Sequence, residues 1–331
     1  MICKIQELVK DVQETNGAQR QSAANFPPET GKLAVITCST SGIGFELALA
    51  LARAGADVIV TGRQAPEGHD ALSRIRPLAP QALVRFEKLE LASLTSIREF
   101  ADRLMQAGRP VDLLINNANA LVLQNRQQTP DGFELHLATN FLGHFALTAR
   151  LLPLLRAGKQ AKVVQLTSTG RHHGEIHLHD LQLQSEYTPL KAYSQSKLAM
   201  MIFAVELQRR SDEHRWGISG NSAQPIGSHA AMLANATEVT PSLSWYRRAL
   251  GLLPQQATGR DGGGALENLL AKRAEPPAKS LAELIGPAVP EAVDMRVLDP
   301  VMGRKLWDAA TQLTRVKWPE ALETAGEAVS S

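Results

Sequence analysis

A short apolar run, Leu33-Ala34-Val35-Ile36-Thr37, passes directly into a turn of small residues, Cys38-Ser39-Thr40-Ser41-Gly42-Ile43-Gly44. Apolar residues then recur at Leu47, Ala50, Leu51 and Ala54, the i, i+3, i+4, i+7 stripe of a helix that Gly55 ends. The run itself is too short for a buried helix and carries β-branched residues, so it reads as a buried strand. A strand that feeds a helix through so tight a turn starts a parallel crossover, because a helix rather than a hairpin carries the chain onward.

The alternation continues along the chain. Residues 57–61, 83–89, 111–115, 162–166 and 218–223 read as further strands. Ile97, Phe100, Ala101 and Leu104 share one helix face, and a long helical region runs through 133–155. This pattern predicts the α/β class: a Rossmann-like doubly wound parallel sheet with helices on both faces, in a single domain. A barrel would need eight strand–helix units and a different phosphate site. After Pro225 the rhythm breaks, and 226–279 reads as a substrate-lid insertion over the carboxyl edge of the sheet, where ligands bind in open α/β folds. A last strand near 281–285 and a closing helix over 302–313 complete a domain spanning 31–320. Residues 1–30 are an N-terminal tail or linker, and 321–331 a C-terminal tail.

Composition removes several classes of function. Lys and Arg number 35 against 33 Asp and Glu, a net charge of +2, and aromatic residues make up 5%. That is too even a balance to track phosphates and too few rings to stack bases, so no nucleic-acid partner is expected. Two cysteines, Cys3 and Cys38, build no disulfide framework and point to a reducing, cytoplasmic compartment. No stretch approaches the ~18 apolar residues of a membrane span. The N-terminal tail lacks the apolar core of a signal peptide; Ile2, Ile5, Leu8, Val9 and Val12 have helical spacing, and Pro27-Pro28 closes a linker-like stretch.

Two constellations carry chemistry. Small residues in the first turn let the backbone approach a pyrophosphate, whose charge sits against the helix N-terminus. Arg63 follows the second strand, 19 residues after Gly44. An acidic residue there grips a ribose 2′-hydroxyl, whereas an arginine accommodates a 2′-phosphate, so NADP(H) is expected in preference to NAD(H), which stays possible. Further on, Tyr193 and Lys197 lie four apart at the start of a helix with Leu198, Met201, Ile202 and Val205 as its stripe. They project from one face, where an ammonium can favour the phenolate of a tyrosine whose ordinary pKa is about 10. Taken alone, this pair also fits two surface residues on any helix.

These residues carry a resemblance. The Ser39–Gly44 turn is joined by Asn116-Asn117-Ala118 after the fourth strand, and by Asp131-Gly132-Phe133-Glu134. Asn140-Phe141-Leu142-Gly143-His144-Phe145, Thr167-Ser168 after the fifth strand and Tyr193-Ser194-Gln195-Ser196-Lys197 follow in order. Together they resemble the short-chain dehydrogenase/reductase family, nearest its retinol-dehydrogenase-like branch. The likeness is close over 31–228 and loose beyond.

The resemblance implies a catalytic tetrad of Asn140, Ser168, Tyr193 and Lys197. Tyr193 would be the general acid in carbonyl reduction and the base in the reverse reaction. Lys197 would lower the Tyr193 pKa and bond the nicotinamide ribose, Ser168 would hold the substrate oxygen, and Asn140 would hold a relay water. Cofactor contacts would come from Thr37, Ser39, Thr40, Ser41, Gly42, Ile43, Gly44, Arg63, Glu90, Leu91, Asn117, Ala118, Tyr193, Lys197 and Ser228. A homodimer or homotetramer, paired through the helices around Asn140 and Tyr193, is likewise implied.

Several positions depart from the family pattern. Cys38 replaces the first glycine of the turn, and an L-residue held at positive φ costs about 1–2 kcal/mol. Asn119 replaces a glycine, Glu90 an aspartate, Ile226 the glycine after Pro225, and Ala230 a threonine or serine. His172, His173, His177 and His179 cluster without the spacing of a metal site, and a role at the substrate mouth is expected instead, with no metal. His144, beside Phe141 and Phe145, reads as a packed helix residue.

The sequence therefore predicts an NADP(H)-dependent oxidoreductase that interconverts a carbonyl and an alcohol on a lipophilic small molecule. The lipophilic part rests on Leu243, Trp245, Tyr246, Leu250, Leu252 and Leu253, which could equally be ordinary core. Two alternatives stay open: a nucleotide-binding sensor or scaffold without redox turnover, and a non-redox lyase or cyclase reusing Tyr193 and Ser168.

Overall fold

Four consecutive buried residues form strand β1 (Leu33–Ile36), and the chain leaves it through the small-residue turn into α1 (Gly42–Arg53). The computed structural model describes residues 29–118, 125–167, 174–223 and 295–319. Along them follow β2 (Asp57–Gly62), α2 (Ala65–Ile75), β3 (Val84–Lys88), α3 (Leu94–Ala107) and β4 (Leu113–Asn116). A π-helical stretch (Leu137–Leu142) runs into α4 (Gly143–Arg156). Then come β5 (Lys162–Leu166), α5 (Pro189–His214), β6 (Ser219–Ala223), the short α6 (Met295–Leu298) and α7 (Pro300–Thr314).

The strands form one sheet in the order β3-β2-β1-β4-β5-β6, parallel throughout. The order reverses between β1 and β4, so their carboxyl ends open the crevice in which such sheets bind ligands. Side-chain alternation sorts the strands onto two cores. Val35, Leu114 and Val163 face α3, α4 and α5, while Ile36, Ile115 and Val164 face α1 and α2. Both faces of the central strands are covered, which is why β1, β2 and β4 read as nearly continuous apolar runs.

The expected elements are present with small shifts at their ends. Helix α2 went unforeseen because its stripe, Gly68, Ala71, Leu72 and Ile75, opens on a glycine in an otherwise polar segment. A side chain at Gly68 would run into the Phe86 ring, so packing forbids the apolar residue that would have marked the helix. The long helical region after Phe133 is broken by the π stretch around Asn140. The closing helix is found as α7, which lies along α5: Gly303 packs against the Glu206 carboxylate, itself paired with Arg209 and Arg210. The lid insertion (226–279), the strand near 281–285 and both tails apart from residues 29 and 30 fall outside the described residues. Among the described residues no helix is long and apolar enough to cross a membrane.

Candidate active site

Thr188 begins α5 by accepting from the Lys191 N–H through its side chain, with Pro189 in the first turn, where its missing N–H costs nothing. This start places Tyr193 and Lys197 on successive turns facing the sheet, and both are 2% exposed. Lys197 Nζ donates to the Leu166 carbonyl at the end of β5 (3.3 Å) and meets Met200 Sδ at 3.7 Å. Burial lowers its pKa to about 7.

Asn140 reaches the same place from the π stretch. Its Nδ2 donates to Ser196 Oγ (2.9 Å), and Ser196 in turn donates to the Tyr193 carbonyl (2.7 Å). The amide of Asn140 is therefore tied to the turn of α5 that carries Tyr193. A π bulge shifts the backbone ladder by one residue and recurs at functional sites. Here the Glu134 carboxylate caps the start of the segment, accepting from the backbone N–H groups of His136 (2.9 Å) and Leu137 (2.7 Å). Position 143, where the π stretch passes into α4, requires a glycine because a Cβ there would lie 2.5 Å from the Leu91 carbonyl oxygen.

The turn after β1 is held from two sides. Ser39 is fully buried, its hydroxyl donating to the Ile36 carbonyl and accepting from the Thr61 N–H, both at 2.9 Å. Its side chain thus fixes the turn rather than facing a ligand. Asn117 Nδ2 donates to the Thr37 and Cys38 carbonyls. Cys38 has φ 52°, the left-handed conformation in which a glycine would be unstrained. Gly42 lies at φ 58° with open space around it, and Ser41 makes no side-chain cap to α1. The first N–H groups of α1 are thus left without a side-chain cap from Ser41. Gly44 allows the helix to approach, since a Cβ there would sit 2.5 Å from both Asn117 Nδ2 and the Cys38 carbonyl oxygen. Arg63, at the end of β2, and Glu90, after β3, approach to 3.9 Å beyond this turn, with the Arg63 side chain 72% exposed.

These groups fit a nicotinamide dinucleotide. Lys197 has three protons to donate, and among the described residues its acceptors are one carbonyl and one thioether, which leaves it suited to ribose hydroxyls. The open N-terminus of α1 suits a pyrophosphate. Thr37 after β1, Leu91 after β3 and Ala118 after β4 are buried beyond the carboxyl ends of their strands. Ser168, Ser228, Asn119, Ile226, Ala230, His172 and His173 lie outside the described residues. His177 and His179 pack edge to face, 6.0 Å between ring centroids.

Several site residues had no sequence signal beyond their place in a motif. Ser196 anchors Asn140. Gln195 ties α5 to the preceding loop, accepting from the His177 N–H and donating to the Leu181 carbonyl. His136 stands edge-on to the Tyr193 ring, 6.4 Å between centroids, with Nδ1 held 2.9 Å from Glu134 Oε1. His144 is not merely packed: Nε2 lies 2.9 Å from Thr37 Oγ1 and Nδ1 2.6 Å from the Asn140 carbonyl oxygen.

A family model described as short chain dehydrogenase matches residues 32–240. Mouse polyprenol dehydrogenase is 42% identical over 204 residues, covering 60% of this chain and 61% of that protein. The chain spans about three-fifths of the length of the polyprenol dehydrogenases it matches. Human retinol dehydrogenase 12 is 32% identical over 289 residues, 87% of this chain and 88% of that one. A crystal structure of an uncharacterized protein from Mycobacterium paratuberculosis superposes with a TM-score of 0.70 at 33% identity, over 90% of this chain and 98% of that one. With the 3-2-1-4-5-6 sheet, the turn after β1 and the Tyr193–Lys197 pair, these matches place the chain in the short-chain dehydrogenase/reductase family, on its retinol-dehydrogenase-like branch.

Proposed function

We propose that the protein is an NADP(H)-dependent oxidoreductase interconverting an alcohol and its carbonyl on a lipophilic small molecule. The observation that carries this reading is the burial of Tyr193 and Lys197 on one face of α5, with Asn140 tied to the same turn through Ser196. A protein that used the fold for nucleotide binding alone would have no physical need for a buried lysine of lowered pKa beside a buried tyrosine.

In the reductive direction Tyr193 Oη delivers a proton to the carbonyl oxygen, and in the oxidative direction it takes the proton from the alcohol. Lys197, once its ammonium is surrounded by oxygens, makes loss of that phenolic proton easier. Ser168 holds the reacting oxygen, and Asn140 keeps the proton path toward Lys197 open. The nicotinamide, when bound, supplies or accepts the hydride. Arg63 supports a 2′-phosphate and hence NADP(H). The relatives are named polyprenol dehydrogenase and retinol dehydrogenase, and this supports retinoid-like or polyprenol-like alcohols and aldehydes as the substrate class. A cytoplasmic location and a homo-oligomeric state belong to the same reading.

Titration of NADPH by fluorescence, followed by turnover on retinal, a polyprenal and bulky ketones, tests it. Saturable binding with NADPH oxidation is expected, and Tyr193→Phe should abolish oxidation while leaving cofactor affinity within about 3-fold. Binding without turnover on any member of the panel would instead favour a sensor or scaffold, a reading to which the strained Cys38 gives some support. Absence of NADPH binding would overturn the proposal.

A further inference from the structure

His144 stands outside the tetrad, yet it connects the two segments on which the site depends. Thr37 Oγ1 accepts from the backbone N–H groups of Asn117 (2.8 Å) and Ala118 (3.0 Å). A hydroxyl has two lone pairs and one proton, so with both lone pairs used Thr37 is left to donate. Its nearer acceptor is His144 Nε2 at 2.9 Å, against the Ile115 carbonyl at 3.4 Å. Nε2 must then carry the lone pair, which puts the ring proton on Nδ1. That proton faces the Asn140 carbonyl oxygen at 2.6 Å. Both ring nitrogens are thereby satisfied in a fully buried, neutral imidazole, and burial holding its pKa at about 3 agrees with the neutral form.

The bridge joins residues 107 apart in sequence. On one side is the Thr37 hydroxyl, which organises the turn after β4. On the other is the backbone of Asn140, on a π stretch where the regular ladder is shifted by one residue. We infer that His144 is a positioning residue: it sets the Asn140 peptide so that its side chain meets Ser196, and it locks that peptide in register with the cofactor turns through Thr37. The inference rests on the proposed function for its kinetic consequences, but not for its structural ones.

Three variants separate the arms. In His144→Asn the side-chain amide nitrogen replaces Nδ1 and can donate to the Asn140 carbonyl, but the side chain is too short to reach Thr37. In His144→Gln the carbonyl oxygen replaces Nε2 and can accept from Thr37, while the Asn140 arm is lost. His144→Leu loses both. His144→Leu should lower kcat about 10-fold to 100-fold and weaken NADPH binding roughly 3-fold to 10-fold. His144→Asn should recover kcat more than cofactor affinity, and His144→Gln the reverse. A purely structural role would instead impair both constants in step with stability.

The side-chain amide resonance of Asn140, followed by 15N NMR, gives a readout free of turnover. It should shift in His144→Leu and return toward its original position in His144→Asn. If the wild-type protein neither binds NADPH nor turns over, the proposed function fails while the NMR comparison still decides the role of His144. An Asn140 resonance unmoved by His144→Leu, or Asn and Gln variants indistinguishable from each other in kcat and affinity, would overturn the inference.

Discussion

Lys197 Nζ lies 3.3 Å from the Leu166 carbonyl oxygen, so the last residue of β5 holds the ammonium of the candidate site inside the protein. This burial carries a cost that can be measured. In the folded protein Lys197 loses its proton near pH 7, whereas in the unfolded chain it keeps it to about pH 10.4. Between those values the unfolded state binds more protons, so the contribution of Lys197 to stability rises with pH across that window. Below pH 7 both states are protonated and the burial penalty is felt in full. Lys197→Met removes the penalty. It should gain about 1–4 kcal/mol at pH 7, lose activity, and converge with wild type by pH 10. Denaturant midpoints at pH 7, 8.5 and 10 check this, and a difference independent of pH would refute it.

Cofactor preference hinges on Arg63. Its guanidinium is exposed and leans on Glu90 at a distance that gives little attraction, so it is available to a 2′-phosphate. A hydrogen bond to a charged group contributes roughly 1.5–3 kcal/mol. Arg63→Ala should therefore weaken NADPH about 10-fold to 100-fold while NADH changes little. The ratio of the two dissociation constants is the measurement; an unchanged ratio would move the 2′-phosphate contact to another residue.

The strained turn offers a prediction of opposite sign. At φ 52° Cys38 pays about 1–2 kcal/mol, against the roughly 0.5–1 kcal/mol of added unfolded-state entropy that a glycine brings. Cys38→Gly should raise stability by about 0.5–1 kcal/mol. Gly44→Ala should do the reverse and abolish cofactor binding, because its Cβ would sit 2.5 Å from Asn117 Nδ2. Thermal melts with and without NADPH distinguish the two. A destabilised Cys38→Gly protein would show that the thiol makes contacts worth more than the strain.

The sheet was legible in the sequence because its strands are short and bounded by turns, and the central ones are buried apolar runs; the crossover rule then leaves few topologies. Tyr193 and Lys197 were legible because a spacing of four places two side chains on one face of a helix. The π stretch was not: Leu137, Ala138, Phe141, Leu142 and Phe145 keep an apolar rhythm that an unbroken helix would also show. His144 and Ser196 were not either, because their roles come from partners distant in sequence, Thr37 and Asn140. The helix α7 was expected, but its seat depends on ring contacts that periodicity does not encode.

That seat bears on assembly. Trp307 of α7 packs against Phe145 of α4 and Phe203 of α5, 5.0 and 5.8 Å between ring centroids, and Trp318 adds a second layer over both. The Arg210 guanidinium covers the Trp307 ring at 4.4 Å. The aromatic face of the two helices that the resemblance would pair between subunits is thus occupied by the same chain. A homo-oligomer of this protein should therefore not form through that aromatic face. Trp307→Ala should cost about 3–5 kcal/mol by leaving a cavity and should expose Phe145 and Phe203. Sedimentation velocity across a range of protein concentrations should then show heavier species for the variant than for wild type, at a temperature where circular dichroism finds both folded. Equal association of the two proteins would mean that α7 does not guard that face.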